Sequence, residues 1–237
     1  MTQSVLLDNV KHHDLKVRTD YAAEFGDGVN QVLVFPSEYQ HLQREYPILF
    51  FRDNDSGEYQ SVALLGLDRD ENLYLDNTGW QADYVPAVRA RGPFLIGLQS
   101  GGEPMIHVDM SSPRISRQQG EPVFLPHGGN TPYLERISGI LQLIHRGASE
   151  NRHMFEAFAA CDLIAPVKLE LRLSESEQYT IEHFSTINEE RLAALNPSEL
   201  ASLHRAGFLK YAFLVVASLN NISRLIEKKK RVLARAA

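Results

Sequence analysis

Histidine and aspartate stand two apart in His107-Val108-Asp109. Residues two apart on a β-strand project from one face, so an imidazole and a carboxylate placed this way can grip one metal ion. A third ligand from His127, His153 or His183 would complete the two-histidine, one-carboxylate set that holds Fe(II) and leaves positions open for an oxygenase. Short strings of this kind also arise by chance, and nine histidines offer many accidental partners. The competing reading makes both residues strand-end polar groups satisfied by nearby backbone.

A second grouping comprises Trp80, Tyr84, Arg89, Arg91 and Arg114. Tryptophan, tyrosine and arginine dominate binding surfaces because they bury much area and still offer polar contacts. The guanidinium forks also suit an acidic or sugar-like ligand. Against this, the two aromatics could plug the end of a sheet while the arginines pair with local carboxylates.

No other catalytic signature is present: no GxSxG, no Walker A loop, no GxGxxG after a strand and no HExxH. Gly101-Gly102 and Gly128-Gly129 read as turns. Asp53-Asn54-Asp55 lacks the glycine and the distal acid of a calcium loop and also reads as a turn. His12-His13 reads as a pair of solvated loop histidines. Cys161, the only cysteine, lies near Phe158 and Leu163 and reads as a buried, inert thiol. It leaves no intramolecular disulfide and no cysteine-rich zinc site. No catalytic residue and no cofactor are therefore expected.

The elements that position these residues follow from periodicity. From Tyr46 to Phe94, short apolar runs alternate with Gly, Asp and Asn, as buried strands joined by tight turns do. Phe94 to Leu98 and Pro104 to Val108 are expected to pair around Ser100 to Glu103. Thr131 is a good N-cap ahead of Pro132, with Leu134, Ile137, Leu141 and Ile144 on one helical face. That helix is expected to break near Gly147 and resume from Arg152 to Cys161. Pro166 to Leu173 and Gln178 to Phe184 alternate about Ser174 to Glu177, as a hairpin does. Short helices capped by Asn188 and Asn196 follow, then one long helix from Phe208 to Arg235 with a basic tail.

The expected fold is therefore α+β. A mainly antiparallel, β-rich part (30–125) precedes a helical part (131–237) with one inserted hairpin (166–184). No linker separates them, so residues 1–237 read as a single domain.

Several of these strings occur together elsewhere. YPILFF, ALLGL, NLYLD, Trp80, YVPA, Ser112-Pro113-Arg114, the Gly-rich segment before TPYLERI, and FLKYAFLVVASLNNISRL resemble, in that order, the SapC family of bacterial proteins. This is the soluble family, not the peptide-transporter permease that shares the name. The resemblance implies a fold unit of about this length and carries no catalytic residue onto the chain. It implies a binding or accessory role beside a partner, in surface or nutrient-uptake processes.

Composition sets outer bounds. With 43% hydrophobic and 23% charged residues the chain has an ordinary globular make-up. A net charge of −6, from 24 basic and 30 acidic residues, argues against a surface built as a whole for nucleic acid. The tail EKKKRVLARA is most simply solvated at a helix C-terminus, where it favours the dipole; contact with an anionic surface is the sharper alternative. No apolar run is long enough to span a bilayer and the first residues do not read as a secretory signal, so a cytoplasmic location is expected. The reading overall is a non-enzymatic protein that meets an unidentified protein partner or small ligand. The Fe(II) oxygenase centred on His107 and Asp109 is its alternative.

Overall fold

The computed structural model describes residues 4–97, 104–173 and 178–236. The expected turns at Ser100–Glu103 and Ser174–Glu177 lie outside the described residues. In chain order the first half holds β1 (Ser4–Leu6), β2 (Lys16–Val17), β3 (Gln31–Val34), α1 (Tyr39–Leu42), β4 (Ile48–Arg52) and β5 (Tyr59–Leu64). It continues through β6 (Leu75–Asp76), β7 (Gly79–Trp80), α2 (Ala87–Ala90), β8 (Phe94–Gly97), β9 (Met105–Asp109), β10 (Ile115–Ser116) and β11 (Glu121–Pro122). The second half holds α3 (Pro132–Ala160), β12 (Ile164–Arg172), β13 (Gln178–Ile187), α4 (Glu189–Ala193), α5 (Pro197–Arg205), α6 (Leu209–Ser218) and α7 (Asn221–Ala236). The fold is α+β, strand-rich and then helical, and every strand pairing among the described residues is antiparallel.

The residues group into two compact units. The first is Met1–Gly28, Leu75–Gln81 and Ala87–Arg146, and the second is Val29–Tyr74, Ala82–Pro86 and Gly147–Ala237. In the first unit the sheets run β1-β9-β8 and β10-β2-β11, with β6 and β7 as a small pair. Its core joins Val17, Phe94, Val108, Val123, Tyr133 and Ile137, with Leu134 and Leu141 beside them. The N-terminal half of α3 thus presents positions 133, 134, 137 and 141, the helical face read from sequence. Thr131 caps it as expected: its Oγ1 accepts from Leu134 N at 3.3 Å and donates to Pro122 O at 2.7 Å.

In the second unit the sheet order is β12-β13-β4-β5-β3. Phe155 and Phe158, one helical turn apart on α3, pack on Phe50 of β4, with ring centroids at 4.9 and 6.4 Å. Cys161 is buried, and burial pushes its thiol up, as an inert cysteine requires. Asn188 and Asn196 cap α4 and α5 through their side-chain oxygens.

Three expectations need correction. α3 does not break at Gly147. A Cβ there would lie 2.5 Å from that of Phe35, so glycine serves a close packing contact rather than a break. The last helix, conversely, is two. Ser218 Oγ accepts from Ile48 N at 2.9 Å, and Asn221 Nδ2 donates to Gln43 O at 2.8 Å. These buried polar anchors fix the turn between α6 and α7. His12 is buried, not solvated, and its Nδ1 accepts from Asp8 N at 3.0 Å.

Candidate functional site: an arginine-lined cavity

The first unit contains a cavity of about 190 Å³ whose wall is built from distant pieces of chain. Residues 18–21 contribute Arg18, Thr19 and Tyr21, and the end of α2 and the turn after it contribute Arg89, Ala90 and Gly92. The start of α3 contributes Tyr133 and Arg136, joined by Ile137 and Ile140 and, from the loop before β10, by Arg114. Gly92 has φ +56°, and a Cβ there would lie 3.8 Å from the Tyr133 hydroxyl. A left-handed glycine thus carries the chain from α2 past the phenol without filling the space before it.

The four arginines are treated differently. Arg114 is structural. It is 5% exposed, its Nη2 meets Asp27 Oδ2 at 2.6 Å, and its Nη1 donates to the carbonyls of Arg18 (3.1 Å) and Asp20 (2.5 Å). Its guanidinium also covers the Phe25 ring at 4.7 Å and the Tyr21 ring at 5.4 Å. Asp27 in turn accepts from Ala22 N at 3.1 Å, so Arg114 pins the whole segment 18–27. Arg18 is held by Asp20 at 2.9 Å and Glu24 at 3.5 Å.

Arg89 and Arg136 have no carboxylate to hold them among the described residues. Arg89 Nη1 donates to Gly26 O at 2.8 Å, but its Nε is buried with no hydrogen-bond partner. Burial pulls its pKa down; Asp27 opposes that, and the neighbouring Arg114 cation adds to it. Arg136 lies 5.8 Å from the Tyr133 ring and makes no ion pair among the described residues. The hydroxyls of Tyr21 and Tyr133 likewise have no protein hydrogen bond among the described residues. Burial pushes both phenols up, so both stay protonated donors at neutral pH. None of the described lining residues is acidic. The wall therefore offers side-chain N–H and O–H donors with no carboxylate among its described residues, the composition of an anion-accepting surface.

The residues singled out from sequence divide. Arg89 and Arg114 line the cavity together. Trp80 supports it from behind, packed edge-on to Tyr21 with centroids 5.5 Å apart. Arg91 is not among the lining residues: its Nη1 donates to Phe94 O at 2.5 Å, and burial and then the Arg89 cation pull its pKa down while Asp109 opposes them. Tyr84 belongs to the second unit, where its hydroxyl donates to the buried Glu38 at 2.9 Å and its ring stacks on His41 at 5.1 Å.

His107 and Asp109 do share the strand face opposite Val108 of the core, as their spacing requires. The Asp109 carboxylate is occupied by Ser111, accepting from its N at 3.0 Å and its Oγ at 2.6 Å. The His107 ring lies over Gly97 of β8, with Nε2 buried and unpartnered. His127, His153 and His183 are all exposed, and the last two belong to the second unit. Among the described residues no group of three His, Cys, Asp or Glu could hold a metal ion, so the Fe(II) reading finds no ligand set.

A family model, SapC, matches residues 7–225. The chain belongs to the SapC family. No curated protein and no solved structure matches it. Among the described residues no single helix is long and apolar enough to cross a membrane. Three of the strings through which the sequence resembles SapC proteins meet at the cavity. Trp80 backs Tyr21, Ser112-Pro113-Arg114 supplies the anchoring guanidinium, and TPYLERI supplies Tyr133, Arg136 and Ile137. The lining residues unread in the sequence, Arg18, Tyr21, Tyr133 and Arg136, come from segments brought together only by the tertiary fold. The one local signal was Tyr133 and Arg136 three apart in a helix, which puts a phenol and a guanidinium on neighbouring positions of one face.

Proposed function

We propose that this SapC protein is a non-enzymatic binding or accessory protein whose ligand is a small oxyanion held in the arginine cavity. The observation that carries this reading is the pair Arg89 and Arg136, neither with an ion-pair partner among the described residues, in a wall that adds two tyrosine hydroxyls and no acid among the described lining residues. A carboxylate or phosphate oxygen set among these groups would accept from them and neutralise Arg89 and Arg136. A cavity of about 190 Å³ is too small for a peptide segment, which favours a small ligand over a protein partner at this place.

The test is calorimetric titration of the full chain with sodium acetate and with inorganic phosphate, each repeated on Arg89→Gln and Arg136→Gln. Binding of at least one anion is expected in the wild type. A charge-assisted hydrogen bond is worth about 1.5–3 kcal/mol, so each variant is expected to bind roughly tenfold weaker or worse. Absence of binding in the wild type, or binding unchanged in both variants, would remove the site.

A further inference from the structure

Resting on that oxyanion reading, we infer that the ligand is an organic carboxylate with a flat apolar body rather than a free inorganic anion. The lining changes character along α3. Tyr133 and Arg136 offer a phenol and a guanidinium, and one turn on, Ile137 and Ile140 offer only aliphatic carbon. Ala90 extends the apolar part. An inorganic phosphate would satisfy the donors and leave this carbon against water. A carboxylate carrying a ring would satisfy the same donors and also remove apolar surface from water, at about 25 cal/mol per Å².

Charge points the same way. Arg114 and Arg18 already have carboxylate partners, so the cations left to a ligand are Arg89 and Arg136. Arg136 is exposed while Arg89 Nε is buried, so the full charge to be neutralised inside the cavity is close to one. A monoanion matches this; a dianion would bury a charge in excess of its partner. The volume, about 190 Å³, admits a single ring with its carboxylate. The placement that uses every group sets the carboxylate among the Arg89 and Arg136 guanidinium groups and the tyrosine hydroxyls, with the ring toward Ile137 and Ile140.

The experiment is a binding series on the full wild-type chain, by calorimetry or by ligand-observed NMR, with benzoate, acetate, inorganic phosphate and the neutral isostere benzamide. Benzoate is expected to bind at least tenfold tighter than acetate or phosphate, and benzamide not detectably. Arg89→Gln should weaken benzoate at least tenfold, toward the level of benzamide. Ile140→Asn should cut the benzoate-to-acetate ratio. Acetate or phosphate binding as tightly as benzoate would overturn the apolar-body inference and leave the oxyanion reading standing. Benzamide binding as tightly as benzoate would overturn both, as would no binding by any of the four. The ligand series uses only the wild type, so its outcome does not depend on either variant folding.

Discussion

Arg89 in the first unit and Lys229 in the second are both cations drawn partly out of water, and their surroundings differ in kind. Lys229 Nζ meets Asp68 at 2.5 Å and Glu71 at 2.7 Å, and Glu71 also accepts from Leu67 N at 2.9 Å. Burial alone would pull this ammonium down, but the hydrogen bonds to the two carboxylates outweigh it and hold its pKa above the ordinary lysine value. Arg89 moves the other way, with its pKa pulled down by burial and its Nε unpartnered. A buried cation with more acids than it needs ties elements together, here α7 to the loop after β5. A buried cation short of acids is the kind of perturbed group that functional sites collect. Arg114, paired in the same cavity as Arg89, shows that the contrast is not one of burial, since Arg114 is the more buried of the two.

The contrast can be broken most forcefully at Arg114. Asp27→Ala strands a guanidinium in the core and is expected to cost about 3–5 kcal/mol in urea denaturation. A loss below about 1 kcal/mol would mean the pair is not what pins residues 18–27. Lys229→Met should cost less, about 2 kcal/mol, because Asp68 is half exposed and regains water. Since the Lys229 pKa is raised on folding, its contribution is fully present at neutral pH. It is lost as the pH climbs above the unfolded value of about 10.4 toward the folded one, so the wild-type advantage over Lys229→Met should shrink only in strong alkali. Arg89→Gln should change stability by no more than about 0.5 kcal/mol, or raise it, because it removes a partly buried cation that no ion pair among the described residues holds. Destabilisation by Arg89→Gln on the scale of Asp27→Ala would place Arg89 among the structural cations and erase the distinction.

What was legible in the sequence was what is local. The alternation of Pro166 to Leu173 and Gln178 to Phe184 appears as paired β12 and β13, and the caps at Thr131, Asn188 and Asn196 are where short polar side chains precede apolar periodicity. What misled was punctuation whose meaning is tertiary. Gly147 has the look of a stop and is a point of close packing. Asn220 and Asn221 have the look of helix interior and mark a turn, because buried Ser218 and Asn221 are bound to the backbone near β4. The site behaves likewise. Residue type alone singles out Trp80, Tyr84, Arg89, Arg91 and Arg114, since aromatics and arginines dominate binding surfaces. It cannot tell that Tyr84 finds its carboxylate in Glu38, nor that a segment near residue 20 closes over the start of α3.

That closure is an assembly at long range. Arg18, Thr19 and Tyr21 reach the cavity with their backbone held by Arg114, a contact that spans 96 residues of chain. Apart from β2, Arg18 N donating to Arg114 O at 2.9 Å and Arg89 Nη1 donating to Gly26 O at 2.8 Å, the segment is held by that guanidinium and its aspartate. Three lining residues thus share one remote anchor, and a change at the Arg114–Asp27 pair reaches all three at once.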